Sequence, residues 1–275
     1  MAAPGLPDPL PIHPRGPLDA VIRPPGSRSV TNRALAAAAL APGTSQLVGA
    51  TESDDTLAMA RGLEALGIQV RREEAAWSVA GRGGALHAAG QLDVGASGTT
   101  ARFLTALATL ADGPSRLDGT RRMRERPIAE LCEALGSLGA RIEILGEAGC
   151  PPLDIAGGGL SGGDVLIDAS RSSQFVSGLL LAAPCADGAV TIHLKDGRLV
   201  SRPFLELTLA VMEDFGAPVD WNGRDRLRVA AEACYTARTY PIEPDAQSAV
   251  YPLCAAAIAG GQVVVEGLGA DSEQT

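Results

Sequence analysis

Residues 25–40 read PGSRSVTNRALAAAAL and place two arginines and three hydroxyl groups directly before an alanine-rich run. A Pro-Gly turn followed by small polar residues is typical of a helix N terminus, and we expect Ser29 or Thr31 to cap the helix. Free backbone N–H groups and the positive end of the helix dipole would then face the turn. Arg28 and Arg33 stand near this end, where both could bind one phosphate or carboxylate. The stretch therefore predicts an anion site, with an ordinary capped core helix as the alternative.

The composition is that of a globular protein. The chain has 275 residues, of which 46% are hydrophobic, so it can bury a substantial core. A net charge of -9 argues against nucleic acid or an anionic membrane as the main partner, so clustered arginines favour a local site for a small anion. The N-terminal segment lacks the pattern of a signal peptide, and we expect a cytoplasmic protein. The five cysteines and three histidines lack metal-ligand spacing, so neither a disulfide framework nor a metal site is expected.

The opening pattern, a small-polar cluster followed by an apolar helix, recurs three times at spacings of about 70 to 75 residues, longer than the periods of solenoid repeats. The four clusters are residues 27–29, 97–100, 170–174 and 245–248. A short strand candidate follows each helix, and in the first three repeats a second helix and a strand pair come next. The second helices end at Leu66-Gly67, Leu138-Gly139 and Phe215-Gly216, with glycine where the chain must turn left-handed. The sequence therefore predicts an α/β protein of repeated βαβαββ units.

The second helices of the repeats also share a starting signal. Arg126-Pro127 and Arg202-Pro203 put proline at the predicted first helical position, with arginine directly before it. In the first repeat residues 53–55 (Ser-Asp-Asp) take this place, and we interpret the two aspartates as capping residues rather than catalytic acids. If the repeats surround a local axis, these N termini converge on one side of the molecule.

The fourth repeat supplies one helix and one strand candidate before the sequence ends at Thr275. Half a unit leaves strand edges and an apolar face that another element must cover. We therefore expect that the chain continues in a longer protein or needs a partner.

Six motifs follow one another along the chain and together carry a family resemblance. They are Pro25-Gly26-Ser27-Arg28-Ser29-x-x-Asn32-Arg33-Ala34, Gly95-x-x-Gly98-Thr99-x-x-Arg102, Met123-x-Glu125-Arg126-Pro127, Ser172-Ser173-Gln174-Phe175, Leu199-Val200-Ser201-x-Pro203 and Asp245-x-x-Ser248-Ala249. In this order they resemble the signatures of the 5-enolpyruvylshikimate-3-phosphate synthases, and the chain is similar to the N-terminal part of that family. Six motifs in register make a chance match improbable.

The resemblance implies a fold and a domain division. The fold is the inside-out barrel of the enolpyruvyl transferases, with helices inside and sheets outside. Residues 23–241 would form a substrate-binding domain of three units. Residues 1–22 and 242–275 would begin a second domain that is largely absent from this chain, and that domain supplies the family's aspartate and glutamate acid/base groups. We therefore expect the chain by itself to bind shikimate 3-phosphate weakly and not to turn over.

The resemblance also implies an activity: transfer of the enolpyruvyl group of phosphoenolpyruvate to the 5-hydroxyl of shikimate 3-phosphate, with release of phosphate, in chorismate and aromatic amino acid biosynthesis. It implies no metal, no organic cofactor, no nucleic-acid or membrane partner, and a monomer at full length. The residues implied to bind shikimate 3-phosphate are Arg28, Ser29, Arg33, Ser172, Ser173, Gln174 and Ser201. Those implied to bind phosphoenolpyruvate are Arg28, Gly98, Arg126 and Gln174, and Arg28, which touches both substrates, is the implied catalytic residue.

The sequence departs from the family at three positions in or beside these motifs. Arg28 stands where the family has lysine, and a guanidinium is larger, planar and effectively never deprotonated, which puts a proton-handling role in doubt. Ala96 replaces an asparagine found in many members, and Phe204 replaces a tyrosine found in some.

Three other interpretations stay open. The sister family, UDP-N-acetylglucosamine enolpyruvyl transferase, typically carries a cysteine in the loop matching residues 119–126, and this loop has none. A non-catalytic half that only binds shikimate 3-phosphate, or a gene fragment, fits the unfinished fourth repeat. The arginines of residues 121–126 could form a nucleic-acid patch, but the acidic chain and the lack of interleaved aromatic residues argue against it.

Overall fold

The computed structural model describes residue 11 and residues 16–274. Residues 1–10, 12–15 and 275, which belong to the predicted second-domain segments, lie outside the described part. The α-helices of the described part are α1 (Arg28–Leu40), α2 (Asp54–Ala65), α3 (Gly98–Ala108), α4 (Ala129–Ser137), α5 (Ser173–Ala182), α6 (Arg202–Asp214) and α7 (Ala246–Ala259). The β-strands are β1 (Leu18–Ile22), β2 (Pro42–Val48), β3 (Gln69–Arg72), β4 (Ala76–Arg82), β5 (Gly90–Asp93), β6 (Ser115–Asp118), β7 (Ile142–Ile144), β8 (Leu153–Ile155), β9 (Gly163–Ala169), β10 (Val190–Leu199), β11 (Val219–Trp221), β12 (Arg226–Val229), β13 (Thr239–Pro241) and β14 (Gly261–Val265).

Three four-stranded sheets repeat one plan, with strand orders β13-β2-β4-β3, β5-β6-β8-β7 and β9-β10-β12-β11. In each sheet one parallel pair is followed by two antiparallel strands. The second and third units follow the predicted βαβαββ order. The first unit takes its parallel strand, β13, from the far end of the third unit, because three units around an axis bring the returning chain back beside the first sheet.

The helices α1, α3 and α5 form the centre of the molecule, where they pack against one another. The alanine-rich α1 is buried from Val30 to Leu40, and α3 and α5 are buried along nearly their whole length. Small residues permit this close packing: a Cβ on Gly178 of α5 would come within 2.8 Å of the Arg102 backbone oxygen in α3. The helices therefore lie inside and the sheets outside, which confirms the predicted inside-out architecture.

The helix ends partly match the sequence predictions. Gly67, Gly139 and Gly216 follow α2, α4 and α6 with φ of +86°, +92° and +88°, so the predicted left-handed endings are confirmed. The cap predicted for α1 is wrong, because Ser27 is the N-cap and its Oγ accepts from Val30 N–H at 3.4 Å. Thr31 lies inside the helix and donates back to the Ser27 carbonyl at 2.8 Å.

The two proline signals also have different outcomes. Pro203 lies in the first turn of α6, but at its second position rather than the predicted first, because the helix already begins at Arg202. Pro127 precedes α4, which begins only at Ala129. The reason is hydrogen bonding to other segments of the chain. The Pro127 carbonyl accepts from Arg102 Nη2, and the Ile128 N–H donates to the Gly149 carbonyl at 2.9 Å, so both residues are held outside the helix.

The elements of the fourth repeat stand apart from the three sheets. Among the described residues, β1 and β14 pair only with each other, in parallel, and α7 packs against both. The helix is apolar on every side, yet Ala249 is its only buried residue, and Tyr251 and Ile258 are 78% and 88% exposed. No helix in the described ranges is both long and apolar enough to cross a membrane. The division between residues 23–241 and the flanking segments stays a prediction.

Candidate anion-binding site

A cavity of about 300 Å³ lies where the N-terminal ends of α1, α5 and α6 meet. All seven residues that the family resemblance implied for the first of the two substrates line this cavity. They are Arg28, Ser29, Arg33, Ser172, Ser173, Gln174 and Ser201. They come from the N-terminal ends of three helices in the first and third repeats, so these helix N termini converge as expected. Backbone N–H groups, hydroxyls and guanidinium groups together make the cavity a place for an anion with several oxygens.

Arg33 carries a positive charge in the interior beneath this cavity. It is 2% exposed, and its Nε, Nη1 and Nη2 donate to Thr208 Oγ1 at 2.8 Å, the Ser29 carbonyl at 2.9 Å and the Phe204 carbonyl at 2.9 Å. Its guanidinium also lies over the Phe103 and Phe204 rings. Burial lowers the pKa of Arg33 to about 9, so the group stays charged at neutral pH.

Within the described part of the chain, the buried charge of Arg33 has no counter-ion at salt-bridge distance. No carboxylate among residues 16–274 lies within 4.0 Å of it. Buried charges are normally paired, because an isolated charge in a low-dielectric interior is costly. An anion in the cavity would relieve this imbalance. The sequence predicted Arg33 as a ligand but gave no sign that it also ties α1 to α6.

Arg28 has the opposite environment. Its side chain is half-exposed, and it lies between two carboxylates: Nε is 3.5 Å from Asp245 Oδ2 and Nη1 is 4.0 Å from Asp55 Oδ2. Asp245 also caps α7, since its Oδ1 accepts from the Gln247 and Ser248 N–H groups. The charge of Arg28 is therefore already balanced, and a ligand must share it with these carboxylates.

Hydroxyl and amide groups connect the cavity to neighbouring helices. Ser172 caps α5 and accepts from the Gln174 N–H at 3.2 Å. The Gln174 side-chain Nε2 donates to Thr99 Oγ1 in α3 at 3.1 Å, which joins the second and third repeats. Ser173 is buried at the start of α5. These contacts fix the positions of polar groups before any ligand arrives.

Ser201, the N-cap of α6, has φ of 53° and ψ of 49°, a left-handed conformation that is unfavourable for a residue with a Cβ. Its hydroxyl makes no capping hydrogen bond, although serine is normally favoured at an N-cap for that bond. Ser201 also lines the cavity. A strained backbone with an uncommitted polar group is frequent at functional sites.

Replacing Ser201 by glycine is expected to raise the free energy of unfolding by about 0.5–1 kcal/mol, because glycine adopts this conformation without steric cost. The matched variant Ser201→Ala removes the same hydroxyl and retains the strain, so it should give no such gain. Thermal and denaturant unfolding of both variants check the difference. Equal stability of the glycine and alanine variants would contradict the assignment of strain.

A second cationic centre surrounds Gly98 at the start of α3. A Cβ at this position would lie 2.5 Å from Arg126 Nη1 and 3.2 Å from Arg102 Nη1, so only glycine leaves room for both guanidinium groups. Arg126 Nη1 donates to the Ala96 carbonyl at 3.4 Å. Burial and the neighbouring charge of Arg126 lower the pKa of Arg102 to about 10. Gly98 and Arg126 do not line the 300 Å³ cavity, and Thr99, which does, follows Gly98 directly.

The arginines of residues 119–126 are not equivalent. Arg121 and Arg122 pair with Glu125, and Arg124 binds Asp118 through Nε at 2.9 Å and Nη2 at 2.5 Å. Among the described residues no carboxylate lies within 4.0 Å of Arg126. The carboxylates thus neutralise the outer arginines of the loop and leave the Arg126 charge to attract an anion.

The Asp118–Arg124 pair predicts a pH dependence. The hydrogen bond from Arg124 is the main reason that the pKa of Asp118 lies below its ordinary value of 3.8. A lowered carboxyl pKa contributes stability that is present above the ordinary value and is lost as the pH falls through the lowered one. We expect Asp118→Asn to reduce the free energy of unfolding by about 1 kcal/mol at pH 7, a modest amount because Arg124 is exposed.

Denaturant unfolding between pH 7 and pH 2.5 checks this expectation. The difference in the free energy of unfolding between the unaltered chain and Asp118→Asn should disappear at the acidic end of this range. Glu125→Gln, at an exposed ion pair of the same loop, should show little effect at any pH. A difference that stays constant over the whole range would contradict the ionic origin of the stabilisation.

Several residues of the site were missed from the sequence. Asn32, Arg171 and Gln247 line the cavity, and Arg171 pairs with Glu130 at 3.0 Å. The Arg171 signal was available, since this arginine directly precedes the predicted Ser172 cluster. The pairing of Asp245 with Arg28 had no such signal, because the two residues are remote in sequence.

A larger groove of about 790 Å³ crosses the sheet formed by β5, β6, β8 and β7. Its charged groups include Arg116 and Asp154, which pair with each other at 3.7 Å. The groove also lies away from the converging helix N termini. The smaller cavity therefore remains the better candidate, because it joins helix ends to a buried charge without a counter-ion.

The fold and the cavity together define a class: α/β proteins of three repeated units whose central helix N termini converge on an anion-binding cavity. Within this class, the family model for EPSP synthase (3-phosphoshikimate 1-carboxyvinyltransferase) matches residues 12–275. The chain therefore belongs to the EPSP synthase family, which confirms the resemblance that the six motifs carry.

Individual relatives agree with the family match. The chain is 44% identical over 255 residues to the 3-phosphoshikimate 1-carboxyvinyltransferase of Sulfurovum sp., covering 91% of this chain and 60% of the relative. It is 42% identical over 272 residues to that of Erwinia tasmaniensis, covering 97% and 63%. A solved structure of EPSP synthase from Acinetobacter baumannii matches with a TM-score of 0.81 and 27% identity, over 94% of this chain and 57% of that one. The chain thus spans about three fifths of the length of the curated relatives it matches.

Proposed function

We propose that this chain is the shikimate 3-phosphate-binding part of a 3-phosphoshikimate 1-carboxyvinyltransferase. The observation that carries the proposal is the 300 Å³ cavity at converging helix N termini above the uncompensated charge of Arg33. Shikimate 3-phosphate has a phosphate, a carboxylate and ring hydroxyls, and the seven predicted residues around the cavity offer cations, N–H groups and hydroxyls for all three. Residues 23–241 would form the substrate-binding domain.

Phosphoenolpyruvate would bind beside this cavity, between Gly98, Arg126 and Gln174, with Arg28 shared by both substrates. Support comes from Arg102 and Arg126, which face the position where Gly98 has no side chain. Within the described part of the chain, neither guanidinium has a carboxylate within 4.0 Å. Gln174 is within reach of both places, because its side chain bonds to Thr99 next to Gly98. Two phosphorylated substrates would therefore lie side by side.

In the proposed reaction the 5-hydroxyl of shikimate 3-phosphate gives its proton to a base and its oxygen bonds to C2 of phosphoenolpyruvate, while the methylene carbon gains a proton from an acid. Loss of phosphate and of a methyl proton then restores the double bond. The cationic groups would bind and orient the two anions, and bringing them together lowers the entropic part of the barrier. Arg28 would lie between the reacting substrates and stabilise negative charge there.

The proton transfers need an acid and a base. Among the described residues Asp55 is the only carboxylate lining the cavity, and it lies at the N terminus of α2, 4.0 Å from Arg28 Nη1. We propose that the acid/base groups belong to the part of the relatives that has no counterpart in this chain. The 275-residue chain should then bind shikimate 3-phosphate without releasing phosphate from phosphoenolpyruvate.

Calorimetric titration with shikimate 3-phosphate tests the binding, and a phosphate-release assay with both substrates tests the absence of turnover. Ser173→Ala removes a buried hydroxyl of the cavity and should weaken binding about tenfold. The matched control Ser137→Ala, in the last turn of α4, should bind like the unaltered chain. No binding by a folded chain would overturn the proposed substrate. Phosphate release that depends on shikimate 3-phosphate would overturn the proposed lack of turnover.

A further inference from the structure

A second small cavity, the C-terminal cavity, lies at the far end of the central helices from the anion-binding cavity. Its volume is about 280 Å³, and its lining includes Leu40 at the end of α1, Leu110 just after α3 and Pro184 just after α5. The anion-binding cavity is formed at the N-terminal ends of α1 and α5. The two cavities are therefore separate.

Two cysteines line the C-terminal cavity, and they come from segments far apart in the chain. Cys185 closely follows α5, and Cys234 lies between β12 and β13, in the segment that returns from the third unit to the first sheet. Both thiols are free, and none of the other three cysteines, all within the described part of the chain, lines this cavity. A pair of thiols in one cavity is an arrangement that an oxidant can convert to a disulfide.

Contacts around the cavity hold the two segments beside each other. Tyr235, directly after Cys234, is buried and donates its hydroxyl to the Leu181 carbonyl in the last turn of α5 at 3.0 Å. This bond ties the return segment to the helix end that carries Cys185. The Cys185 Sγ atom lies 3.0 Å from the position that a Cβ on Gly84 would occupy, so the glycine leaves room for the sulfur.

The two thiols differ in their surroundings, which sets the order in which they react. Cys234 is exposed, whereas Cys185 is half-buried. Burial, and after it the charge of a Cys234 thiolate, raises the pKa of Cys185 to about 11. That second cause requires the two side chains to be close enough for the charge of one to act on the other. A dissolved oxidant should therefore react with Cys234 first, with Cys185 as the neighbouring thiol.

We propose that Cys185 and Cys234 form a redox site, which hydrogen peroxide converts to an intramolecular disulfide. The Cys234 sulfur attacks one peroxide oxygen and the O–O bond breaks. Cys234 becomes a sulfenic acid, and the other oxygen leaves as water with the thiol proton. The Cys185 sulfur then attacks the Cys234 sulfur, the S–O bond breaks, and the hydroxyl leaves as a second water with the Cys185 proton. The two thiols lose two electrons, and the peroxide is reduced to two waters.

The bond would join the end of α5 to the return segment and close a loop of about 50 residues. A cross-link over a loop of this length restricts the unfolded chain, so the oxidised chain should unfold about 5–10 °C higher than the reduced chain. Because the C-terminal cavity is remote from the helix N termini, oxidation should leave the affinity for anionic ligands unchanged. The inference does not depend on the proposed function.

The test uses the full 275-residue chain. The reduced chain is treated at low concentration with a small excess of hydrogen peroxide and then capped with N-ethylmaleimide. Mass spectrometry should show a chain that has lost two hydrogens and carries two fewer caps than the reduced chain, and peptide mapping should find Cys185 joined to Cys234. Dithiothreitol should restore both thiols and the original unfolding temperature. Cys254→Ser, which removes an exposed thiol outside the cavity, should form the same bond.

Two variants test the order of the steps. In Cys185→Ser the sulfenic acid of Cys234 has no partner, so it should accumulate and react with dimedone. Cys234→Ser should leave Cys185 reduced, because burial keeps its thiol from the oxidant.

Several results would overturn the inference. One is a chain that keeps both thiols at a peroxide concentration that oxidises free cysteine. Another is a disulfide that involves Cys254 or joins two copies of the chain. An oxidised chain that unfolds at a lower temperature would also overturn it, because the two cysteines would then have to leave their native positions to meet.

Discussion

Replacing Arg33 by methionine is expected to weaken the binding of shikimate 3-phosphate by about 100- to 1,000-fold. The guanidinium is buried directly beneath the cavity, and no carboxylate among residues 16–274 neutralises it. An anionic ligand would therefore supply its counter-charge in an environment where charge interactions are little screened. Methionine fills similar space and removes the charge.

The matched variants separate charge from geometry. Arg33→Lys retains the charge and loses the planar fork that reaches Thr208 and the Ser29 and Phe204 carbonyls, so we expect an intermediate loss of about tenfold. Arg228→Met, on an exposed position of β12, removes one positive charge elsewhere and should bind normally. Calorimetric titration measures the affinities. Thermal unfolding shows that each variant is folded, which is expected because the Phe204 carbonyl keeps its bond from Thr208.

Two results would contradict the assignment. If folded Arg33→Met bound shikimate 3-phosphate as well as the unaltered chain, the buried charge would not act on the ligand. If Arg228→Met weakened binding equally, the effect would come from net charge rather than from the cavity.

Local signals account for most of the fold that the sequence predicted. The endings at Gly67, Gly139 and Gly216 depend only on the need for a left-handed residue after each helix, so the pattern is visible in the sequence. The repeat of a polar cluster and an apolar helix located the three central helices for the same reason. The inside-out arrangement itself came from the family resemblance rather than from periodicity.

The errors arose where contacts between distant segments override local preference. Ala129 begins α4 because Arg102 and Gly149 hold the preceding two residues in other hydrogen bonds. The strand β13 joins the first sheet because the third unit returns there, which no pattern near residue 239 indicates. The cap of α1 is Ser27, two residues before the predicted Ser29 and four before the alternative Thr31, because three closely spaced hydroxyls offer equivalent local signals.

The candidate site was also only partly predictable, because its contacts join segments that are distant in the sequence. Sequence motifs placed Arg33 in the site, but its contacts with Thr208 and Phe204 join segments far apart in the chain. Of the two carboxylates that flank Arg28, Asp55 comes from the second helix of the same repeat and Asp245 from the fourth repeat. The buried side-chain oxygen of Asn32 has no hydrogen-bond partner among the described residues, a property of its surroundings that has no sequence signature at all. Residue types can thus be predicted from motifs, whereas charge balance and hydrogen-bond satisfaction require the fold.

Gly98→Ala is expected to weaken phosphoenolpyruvate binding about 10- to 100-fold while leaving the affinity for shikimate 3-phosphate nearly unchanged. The added Cβ would stand 2.5 Å from Arg126 Nη1 and must displace that guanidinium, because the methyl group itself is fixed to the helix backbone. NMR titration with phosphoenolpyruvate at saturating shikimate 3-phosphate measures the dissociation constant even when binding is weak. Gly136→Ala is the matched control, since a Cβ at that helical position meets nothing within 4 Å.

A double-mutant cycle decides whether Gly98 acts through Arg126. Arg126→Met should weaken phosphoenolpyruvate binding by about as much as Gly98→Ala, and the double variant should bind no worse than Arg126→Met alone, because the displaced group is then already absent. If the two fold-losses of affinity multiplied in the double variant, the two residues would act independently, and the new methyl group would block the ligand itself. Unchanged phosphoenolpyruvate binding in Gly98→Ala would instead remove the second cationic centre from the proposed site, since its geometry depends on the space that this glycine leaves open.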